Sequence, residues 1–346
     1  MKTKKKSAAN WPGKAAQVGA ALPLARLHPA VLAWAAKRRK TEIWGAAFSG
    51  GADSLALLLL LWAHWPERRE RLVVLHFNHR LRGKESTADE KFCRRVCAAL
   101  GVRLRVGRWA GRHKGASEAE ARAARHGFFA REMKRLRCRA LWLAHQQDDI
   151  AESMLMRLAR GSGTGGLAAP RPVQLAGDGR VHLRPLLTVK KAGLVDALRE
   201  AGLDWREDSS NARGDHFRNR VRHAVLPVWS EAAGRDVLAG AALSRERLEE
   251  DEQALETWVQ VLAPLGRDRR LKLRALAGRP RALVRRALHR WLLAQRQPTD
   301  LSRQGFEILL AAVERGRPTR FSLGRKGFAV IAQGQLSFQK GRAVPI

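Results

Sequence analysis

The sequence lacks tyrosine and has little cysteine. It has no tyrosine beside 11 tryptophans, an imbalance for which we have no physical account, and it has three cysteines, Cys93, Cys97 and Cys138. An odd number without C-x-x-C spacing indicates neither a disulfide framework nor a zinc ribbon, so we expect reduced, buried thiols. Cys93 and Cys97 stand one helical turn apart and could share a ligand, although two apolar cysteines on one helix face more often belong to a core.

Long apolar runs are also missing. No stretch approaches the roughly 18 uninterrupted apolar residues that a membrane-spanning helix needs. The basic start, Met1 to Lys6, is followed by Ser-Ala-Ala-Asn and not by an apolar segment. We therefore expect a cytoplasmic protein without a signal peptide.

Acidic residues are heavily outnumbered. The 346 residues include 32 Asp and Glu against 66 Lys and Arg, which gives a formal net charge of +34 and a pI near 11.6. The excess runs along the whole chain and indicates a polyanionic partner, with nucleic acid ahead of an anionic membrane. A generally basic, arginine-rich proteome is the alternative. Because 45% of the residues are hydrophobic, the chain is globular and long enough for two or three domains.

A glycine-rich loop lies between an apolar run of strand length, Ile43 to Phe48, and an apolar helix, Leu55 to Ala63. Paired glycines allow a tight turn, serines offer hydroxyls, and a helix N-terminus binds anions. Asp53 would be repelled by phosphates unless it shares a divalent cation or accepts backbone N–H bonds, which favours a Mg-nucleotide. An ordinary capped Gly-Gly turn is the alternative. The loop consists of Ser49, Gly50, Gly51, Ala52, Asp53 and Ser54.

Strand-like and helical segments then alternate, which predicts an α/β domain with a doubly wound, mainly parallel sheet. Ligands of such sheets lie beyond the carboxyl ends of the strands, so this rule brings His76–Arg82 and His145–Glu152 beside the glycine loop. The segments are strand-like Arg71–Phe77, helical Thr87–Leu100, strand-like Val102–Val106, helical Ser117–Leu136 and strand-like Ala140–Ala144.

Carboxylates are concentrated where the helix after Ala144 begins. Asp149 and Glu152 are three residues apart and so share one face of its first turn. Acidic residues there also interact favourably with the helix dipole. Beside a phosphate site, however, excess carboxylates cost free energy unless a metal or a cationic substrate neutralises them. A divalent cation, a substrate ammonium, or both would serve.

The remainder of the chain suggests further divisions. Gly161–Gly166 is expected to be a C-cap and lid loop, and Trp205–His223 is dense in arginine. Past Ser230 the patterns are helical and then strand-like, with an arginine face (Arg279, Arg281, Arg285, Arg286, Arg290) that suits nucleic acid or plain solvation. We expect a basic extension over 1–25, a catalytic domain over 26–229, a helical connector over 230–262 and a small α+β domain over 263–346 that binds tRNA.

Four segments, in this order, resemble those of the tRNA(Ile)-lysidine synthetase family. The loop at 49–54 matches S-G-G-x-D-S, residues 76–82 match H-x-N-H-x-L-R, and residues 144–152 match A-H-x-x-D-D-x-x-E. Asp208 to Arg222 match D-x-S-N followed by R-N-x-x-R. The loop alone is shared by all N-type ATP pyrophosphatases of the PP-loop superfamily, whereas the full set is highly specific. The resemblance spans about residues 42 to 340.

The resemblance implies a reaction. ATP adenylates the carbonyl at position 2 of the wobble cytidine in an isoleucine tRNA with a CAU anticodon. The ε-amine of free L-lysine then displaces AMP and forms lysidine, so that the anticodon reads AUA in place of AUG and methionine identity becomes isoleucine identity. ATP, Mg²⁺, lysine and tRNA(Ile) are the implied substrates and partners. No membrane is implied, and a homodimer is left open.

Residue roles follow by resemblance. The loop would hold pyrophosphate, with Asp53 sharing Mg²⁺. Asp149 and Glu152 would hold the lysine ammonium and help it to lose a proton, with Asp148 in reserve. The residues expected to position the nucleotide or the base are His79, Arg82 and His145. The residues expected to contact tRNA are Arg122, Arg125, Arg218, Asn219 and Arg222.

The sequence departs from the family pattern at Gln146, Ile150 and Ser153, where we expect His, Gln and Thr. These replacements put in doubt any role of the missing imidazole and amide, but not that of the carboxylates. Longer family members carry a second C-terminal domain, so contact with the acceptor stem is expected to be reduced or achieved differently.

Two other functions remain open from the sequence. A tRNA thiolation enzyme of the same class usually has paired cysteines to carry sulfur or a cluster, and Cys93 and Cys97 within a helix are poorly suited to that. A basic RNA-binding module with a degenerate ATP site would bind tRNA in a salt-sensitive way and consume no ATP. The presence of Asp53, Asp149 and Glu152 disfavours it.

Overall fold

The structure is a computed structural model that describes residues 10–111, 117–176, 179–207, 217–295, 301–324 and 327–341. It divides into two compact units, Met1–Arg247 and Leu248–Ile346. Each unit has a hydrophobic core of its own. Within the described ranges, the helices are too short or too polar to cross a membrane.

A six-stranded sheet lies at the centre of the first unit, in the order β3-β2-β1-β4-β6-β5. Neighbouring strands are parallel, except that β5 pairs antiparallel with β6 at one edge. The predicted doubly wound, mainly parallel sheet is confirmed. The strands are β1 (Trp44–Ala47), β2 (Leu72–Asn78), β3 (Arg103–Arg108), β4 (Ala140–Trp142), β5 (Val173–Leu175) and β6 (Val181–Leu183).

Helices connect these strands and cover the sheet. The leucine run of α3 is buried throughout, as expected for a helix that is apolar all round. The helices are α1 (Trp11–Ala21), α2 (Pro29–Ala36), α3 (Ala52–His64), α4 (Lys84–Ala99), α5 (Glu118–Arg135), α6 (Gln147–Leu158), α7 (Thr164–Leu167), α8 (Lys191–Glu200), α9 (Phe217–Arg220), α10 (Leu226–Ala233) and α11 (Val237–Leu262), the last of which includes the boundary between the units.

Three tryptophans meet in the core of the first unit. The ring centroid of Trp44 lies 4.6 Å from that of Trp142 and 5.5 Å from that of Trp65. The guanidinium carbon of Arg68 lies 4.0 Å from the centroid of the Trp44 ring, and its nitrogens donate to the carbonyl oxygens of Arg38 and Arg39. This buried guanidinium is therefore stabilised by a ring face and by backbone acceptors.

The expectation of a loose basic extension over 1–25 is wrong for Trp11–Ala21, which form α1. Asn10 caps this helix by accepting a hydrogen bond from the backbone N–H of Gly13 at 3.1 Å. Ala15 and Val18 are fully buried, and a Cβ on Gly19 would lie 2.9 Å from that of Ala63 in α3. Small residues on one face allow this close contact, and because such residues are only weakly apolar they give a weak helical pattern in the sequence.

Other differences are local. The C-cap predicted at Gly161 is present, with φ +64° and a hydrogen bond from its N–H to the Leu158 carbonyl, but α7 begins within the expected loop. Strand β6 ends at Leu183, because Pro185 lacks the N–H that would continue the ladder and begins a 3-10 turn. The edge strand β5 and the π-helical turn Val221–Val225 were not predicted.

The second unit has a four-stranded antiparallel sheet in the order β7-β10-β9-β8. Its core includes the fully buried side chains of Trp291, Leu309 and Leu336. The predicted small α+β domain is confirmed. Its elements are β7 (Leu271–Lys272), α12 (Arg281–Ala294), α13 (Arg303–Arg315), β8 (Thr319–Ser322), β9 (Gly327–Ala332) and β10 (Gln335–Lys340).

The arginine face of this unit is largely ion-paired. Arg281 contacts Glu307 at 3.2 Å and Glu314 at 3.1 Å, and Arg285 contacts Glu307 at 3.6 Å. Arg286 and Arg290 contact glutamates of α11. The pairs of Arg281 and Arg285 are largely exposed, whereas that of Arg286 with Glu252 is largely buried. Ion pairs account for these side chains, and a nucleic-acid role for them stays a prediction.

Candidate active site

The glycine loop connects β1 to α3. The Ser49 hydroxyl lies 3.0 Å from the Ser54 hydroxyl, which donates to the carbonyl oxygen of Gly51 at 2.9 Å. Gly51 is the N-cap residue of α3 and has no side chain with which to cap it. The loop is therefore tied to the first turn by its own hydroxyls, and the positive end of the helix dipole points into it.

Gly50 requires the absence of a side chain. Its φ is +95°, a region that L residues rarely adopt, and an added Cβ would lie 3.4 Å from side-chain atoms of Phe92, Cys93 and Arg206. The backbone N–H of Arg206 donates to the Gly50 carbonyl oxygen at 2.9 Å. A residue far along the chain thus holds the turn.

Asp53 is electrostatically unsatisfied. Burial, and then the charge of Asp149, raise the pKa of the Asp53 carboxyl to about 6, while Lys191 and Arg222 oppose the shift. Its Oδ1 is buried without a hydrogen-bond partner among the described residues. No group of three or more acidic, histidine or cysteine side chains in those ranges could hold a metal ion. An orphaned carboxylate oxygen beside a phosphate loop nevertheless fits Mg²⁺, which commonly takes one or two carboxylates and completes its shell with phosphates and water.

The H-x-N-H-x-L-R segment has buried and rim positions. His76 hydrogen-bonds the Phe48 carbonyl oxygen through Nδ1 at 2.9 Å, and Asn78 donates to Glu90 at 3.1 Å. Both are buried and fasten the end of β2. His79 packs edge-on against the ring of Trp109, with centroids 6.2 Å apart. Arg82 contacts Asp89 at 2.9 Å. Only the later residues of this segment therefore lie where a ligand could reach them.

Gln146 has a structural task at the start of α6. Its Oε1 accepts from the backbone N–H of Asp148 at 2.6 Å, and its own N–H donates to Asp149 Oδ2 at 2.9 Å. This reciprocal cap satisfies two backbone N–H groups at the N-terminus of the helix. Ile150 is buried in a small apolar cluster that also contains Val221.

Asp149 and Glu152 are contacted by two arginines. Arg218 donates to Asp149 Oδ1 at 2.5 Å and, through Nε, to Glu152 Oε2 at 2.6 Å. Arg222 donates through Nε to Glu152 Oε1 at 2.6 Å. Guanidinium groups thus contact both oxygens of Glu152, whose side chain is 0% exposed. The third and fourth sequence motifs therefore meet as a buried ion-pair cluster.

The rest of the fourth motif is only partly described. Asn219, between the two arginines, is buried, and the D-x-S-N motif at Asp208–Asn211 lies outside the described residues.

His145 lies in a strongly positive environment. Burial, and then the charges of Arg184, Arg218, Arg122 and Arg125, lower the pKa of its imidazole well below its ordinary value, so the ring is neutral. Burial, and then Arg122, also lower the pKa of Arg184 to about 10. The arginines of α5 thus lie near His145.

Four residues around the site were not predicted from the sequence: Asp89, Lys191, Arg184 and Arg206. Lys191 begins α8, and its charge acts on Asp53. Arg206 stands in the arginine-dense passage singled out from the sequence, but its partner Asp89 is 117 residues away. No local pattern could have paired them.

The cysteines lie in the core, and Cys93 packs beneath Gly50 of the glycine loop. All three are buried and free, and burial raises the pKa of the Cys97 thiol to about 12 and that of Cys138 to about 11. A thiol in that state is neither a nucleophile nor a metal ligand.

Comparison with known proteins identifies related chains. A tRNA(Ile)-lysidine synthase of Rhodopirellula baltica is 36% identical over 244 residues, which cover 64% of this chain and 62% of that protein. The enzyme of the same name from Bacillus subtilis is 33% identical over 301 residues, which cover 83% of this chain and 63% of that protein. The chain thus spans less than two thirds of the length of these curated relatives.

The fold also has a solved counterpart. The U34-tRNA thiolase NcsA from Methanococcus maripaludis, solved with its 4Fe-4S cluster, superposes with a TM-score of 0.52 at 16% identity and covers 69% of this chain and 78% of that one. At this identity the likeness concerns the fold alone. The ATP_bind_3 family model, described as a PP-loop domain, matches residues 27–229. Because this match covers more than half of the sequence, the chain belongs to the PP-loop family.

Proposed function

We propose that the chain is a tRNA(Ile)-lysidine synthase that uses ATP to join lysine to the wobble cytidine of a CAU-anticodon isoleucine tRNA. The observation that carries the proposal is the contact between the third and fourth motifs, in which Arg218 and Arg222 bind the carboxylates of Asp149 and Glu152. The charge of Asp149 also acts on Asp53 in the phosphate loop. The names of the two relatives support it. A cytoplasmic location and the absence of a membrane partner accompany this proposal.

In the first step, the cytidine oxygen at position 2 attacks the α-phosphorus of ATP, and pyrophosphate leaves. The loop N–H groups and the hydroxyls of Ser49 and Ser54 would hold that leaving group. Lys191 and Arg222, whose charges reach Asp53, would offset its negative charge. When bound, Mg²⁺ would supply Lewis-acid neutralisation of the phosphates, and Asp53 is the residue that would hold it. His79, Arg82 and neutral His145 would position the nucleotide or the base.

In the second step, the ε-amine of lysine attacks C2, and AMP leaves. Glu152 is buried between two arginines, and Asp149 is buried with Arg218 on one oxygen and the Gln146 N–H on the other, so an incoming ammonium reaches the half-buried Asp148 first. We propose that these aspartates receive the ammonium and accept its proton, while Glu152 anchors Arg218 and Arg222. This refines the roles inferred from the sequence, in which Glu152 also held lysine and the arginines contacted tRNA.

The tRNA would approach from the side of α5. Arg122 acts electrostatically on His145, Arg157 and Arg184, so positive charge accumulates there. Such a concentration suits a phosphate backbone. Arg122 and Arg125 remain the proposed tRNA contacts, and the closely held Arg218, Asn219 and Arg222 would act at the wobble end, next to the carboxylates.

The proposal is tested with purified protein, the isoleucine tRNA, ATP, Mg²⁺ and labelled lysine. Asp149→Ala and an elongator methionine tRNA serve as controls. We expect label in the isoleucine tRNA only, lost in the variant. Tight tRNA binding without lysine incorporation or ATP consumption would reject the enzyme and favour an RNA-binding module.

A further inference from the structure

Asp89, a residue of α4 to which no role is assigned above, connects two distant arginines. Its Oδ2 accepts from Arg82 Nη2 at 2.9 Å, and its Oδ1 accepts from Arg206 Nε at 2.7 Å. Asp89 is 7% exposed, so this carboxylate is buried with one guanidinium on each oxygen. Charge-assisted bonds of this kind fix geometry more firmly than exposed pairs do.

Arg206 in turn defines the shape of the phosphate loop. Its backbone N–H donates to the Gly50 carbonyl oxygen at 2.9 Å. Its Cγ lies 3.4 Å from the position that a Cβ on Gly50 would occupy. The main chain and the side-chain stem of Arg206 therefore press against the residue with φ +95°, while the guanidinium is held by Asp89.

Arg82 is the other partner, at the rim of the same site. It is also contacted by Glu85, at 3.4 Å, but that carboxylate is 51% exposed. An exposed acid at this distance contributes little to orientation. Asp89 is thus the buried acid that ties the arginine of the second motif to the residue holding the loop of the first.

We propose that Asp89 is a positioning residue for nucleotide binding, which orients Arg82 toward the phosphates and holds Arg206 against Gly50. This inference rests on the proposed use of ATP. Asp89 does not touch the nucleotide; it acts through the two arginines. Outer-shell partners of metal ligands, which likewise act through other residues, typically cost about 10- to 100-fold in affinity or activity when they are mutated, and we expect an effect of this order at Asp89.

The test compares Asp89→Asn with wild type in ATP affinity by equilibrium dialysis, in KM for ATP and for lysine, and in Tm. The amide keeps the volume but loses the charge and one acceptor. We expect ATP affinity to fall by about tenfold, with KM for lysine unchanged. Glu85→Gln, which removes the exposed acid facing the same arginine, is the matched control and should bind ATP as wild type does.

A double variant separates positioning from folding. If Asp89 acts through Arg206, then Asp89→Asn combined with Arg206→Gln should lose no more ATP affinity than the stronger single variant. Unchanged ATP affinity in Asp89→Asn would overturn the inference, as would equal losses for ATP and lysine accompanied by a lower Tm. ATP dialysis needs no lysine transfer, so failure of the proposed reaction and failure of this inference give different results.

Discussion

At the scale of single residues, the geometry of the site depends on a few positions that tolerate no change of side chain. Gly50 is such a position, because both its φ of +95° and its surroundings exclude a side chain. Glu152 is another, because it has no exposed surface and two arginine partners. The first is a matter of backbone conformation and the second of charge.

Gly50→Ala should impair nucleotide binding. A residue forced into this region carries a strain of roughly 1 to 3 kcal/mol, which the loop can relieve only by shifting away from Arg206. ATP affinity measured by dialysis should fall by at least about tenfold. Gly101→Ala is the control, since Gly101 also has a positive φ, +67°, but an added Cβ there would have no neighbouring atom within 4 Å. It should lose stability and keep ATP affinity; equal ATP affinity in both variants would contradict the assignment of Gly50.

Glu152→Ala should destabilise the fold as well as abolish turnover. It leaves Arg218 and Arg222 without the buried carboxylate that both Nε atoms contact. Removing one partner of a buried ion pair costs roughly 3 to 5 kcal/mol, and the partial exposure of these arginines reduces this to about 2. Urea unfolding measures the loss. Asp148→Ala, at a half-buried position, should cost much less, and equal losses would count against the anchoring role of Glu152.

At the scale of elements, the site is assembled from motifs that follow the carboxyl ends of β1, β2 and β4, and the helices that begin there orient them. The alternating pattern and the rule that ligands lie beyond strand carboxyl ends predicted which segments surround the glycine loop. These predictions were possible because the spacing of apolar residues and the turn-forming residues between segments are local features of the sequence. The pairing of Asp89 with Arg206 and of Glu152 with Arg218 was not predictable, since a chain with 66 lysines and arginines offers every acid many partners. Helix α1 was missed because small residues carry its buried face.

The contact of α4 with β2 and β3 should weaken in acid. Hydrogen bonds from Arg108 lower the pKa of Glu90, and burial opposes this shift. Further hydrogen bonds from Asn78 and Arg94 also lower the pKa, which falls to about 2. A carboxyl whose folded pKa is depressed stabilises the fold above its unfolded pKa, and that stability is lost as pH falls toward the folded value. The urea midpoint should therefore decline between about pH 4.5 and pH 2.

Glu90→Gln should flatten that decline. The amide cannot ionise, so the variant is less stable near neutral pH and converges with wild type in acid. Glu132→Gln, which removes the partner of an exposed i,i+3 pair with Arg135, is the control and should follow the wild-type curve. Parallel curves for wild type and Glu90→Gln would show that the network contributes no pH-dependent stability.

At the scale of the whole molecule, the net charge of +34 governs how the protein meets a polyanion. Binding of tRNA should weaken steeply with salt, because each neutralised phosphate releases counterions. Arg122→Gln should lower the slope of log affinity against log salt by about 1 if Arg122 contacts one phosphate. Arg135→Gln, already paired with Glu132 at 2.8 Å, should leave the slope unchanged. An unchanged slope in both variants would remove Arg122 from the proposed tRNA surface.

The chain has no tyrosine, and three of its tryptophans pack together: Trp44, Trp65 and Trp142. Its folding can therefore be followed by intrinsic tryptophan spectroscopy. Its ultraviolet emission comes from indole alone, without a phenol background. Three rings within interacting distance of one another couple their transitions, so this cluster should contribute strongly to the near-ultraviolet circular dichroism of the native state. Each variant above can therefore be checked for native packing of its tryptophans without any added label.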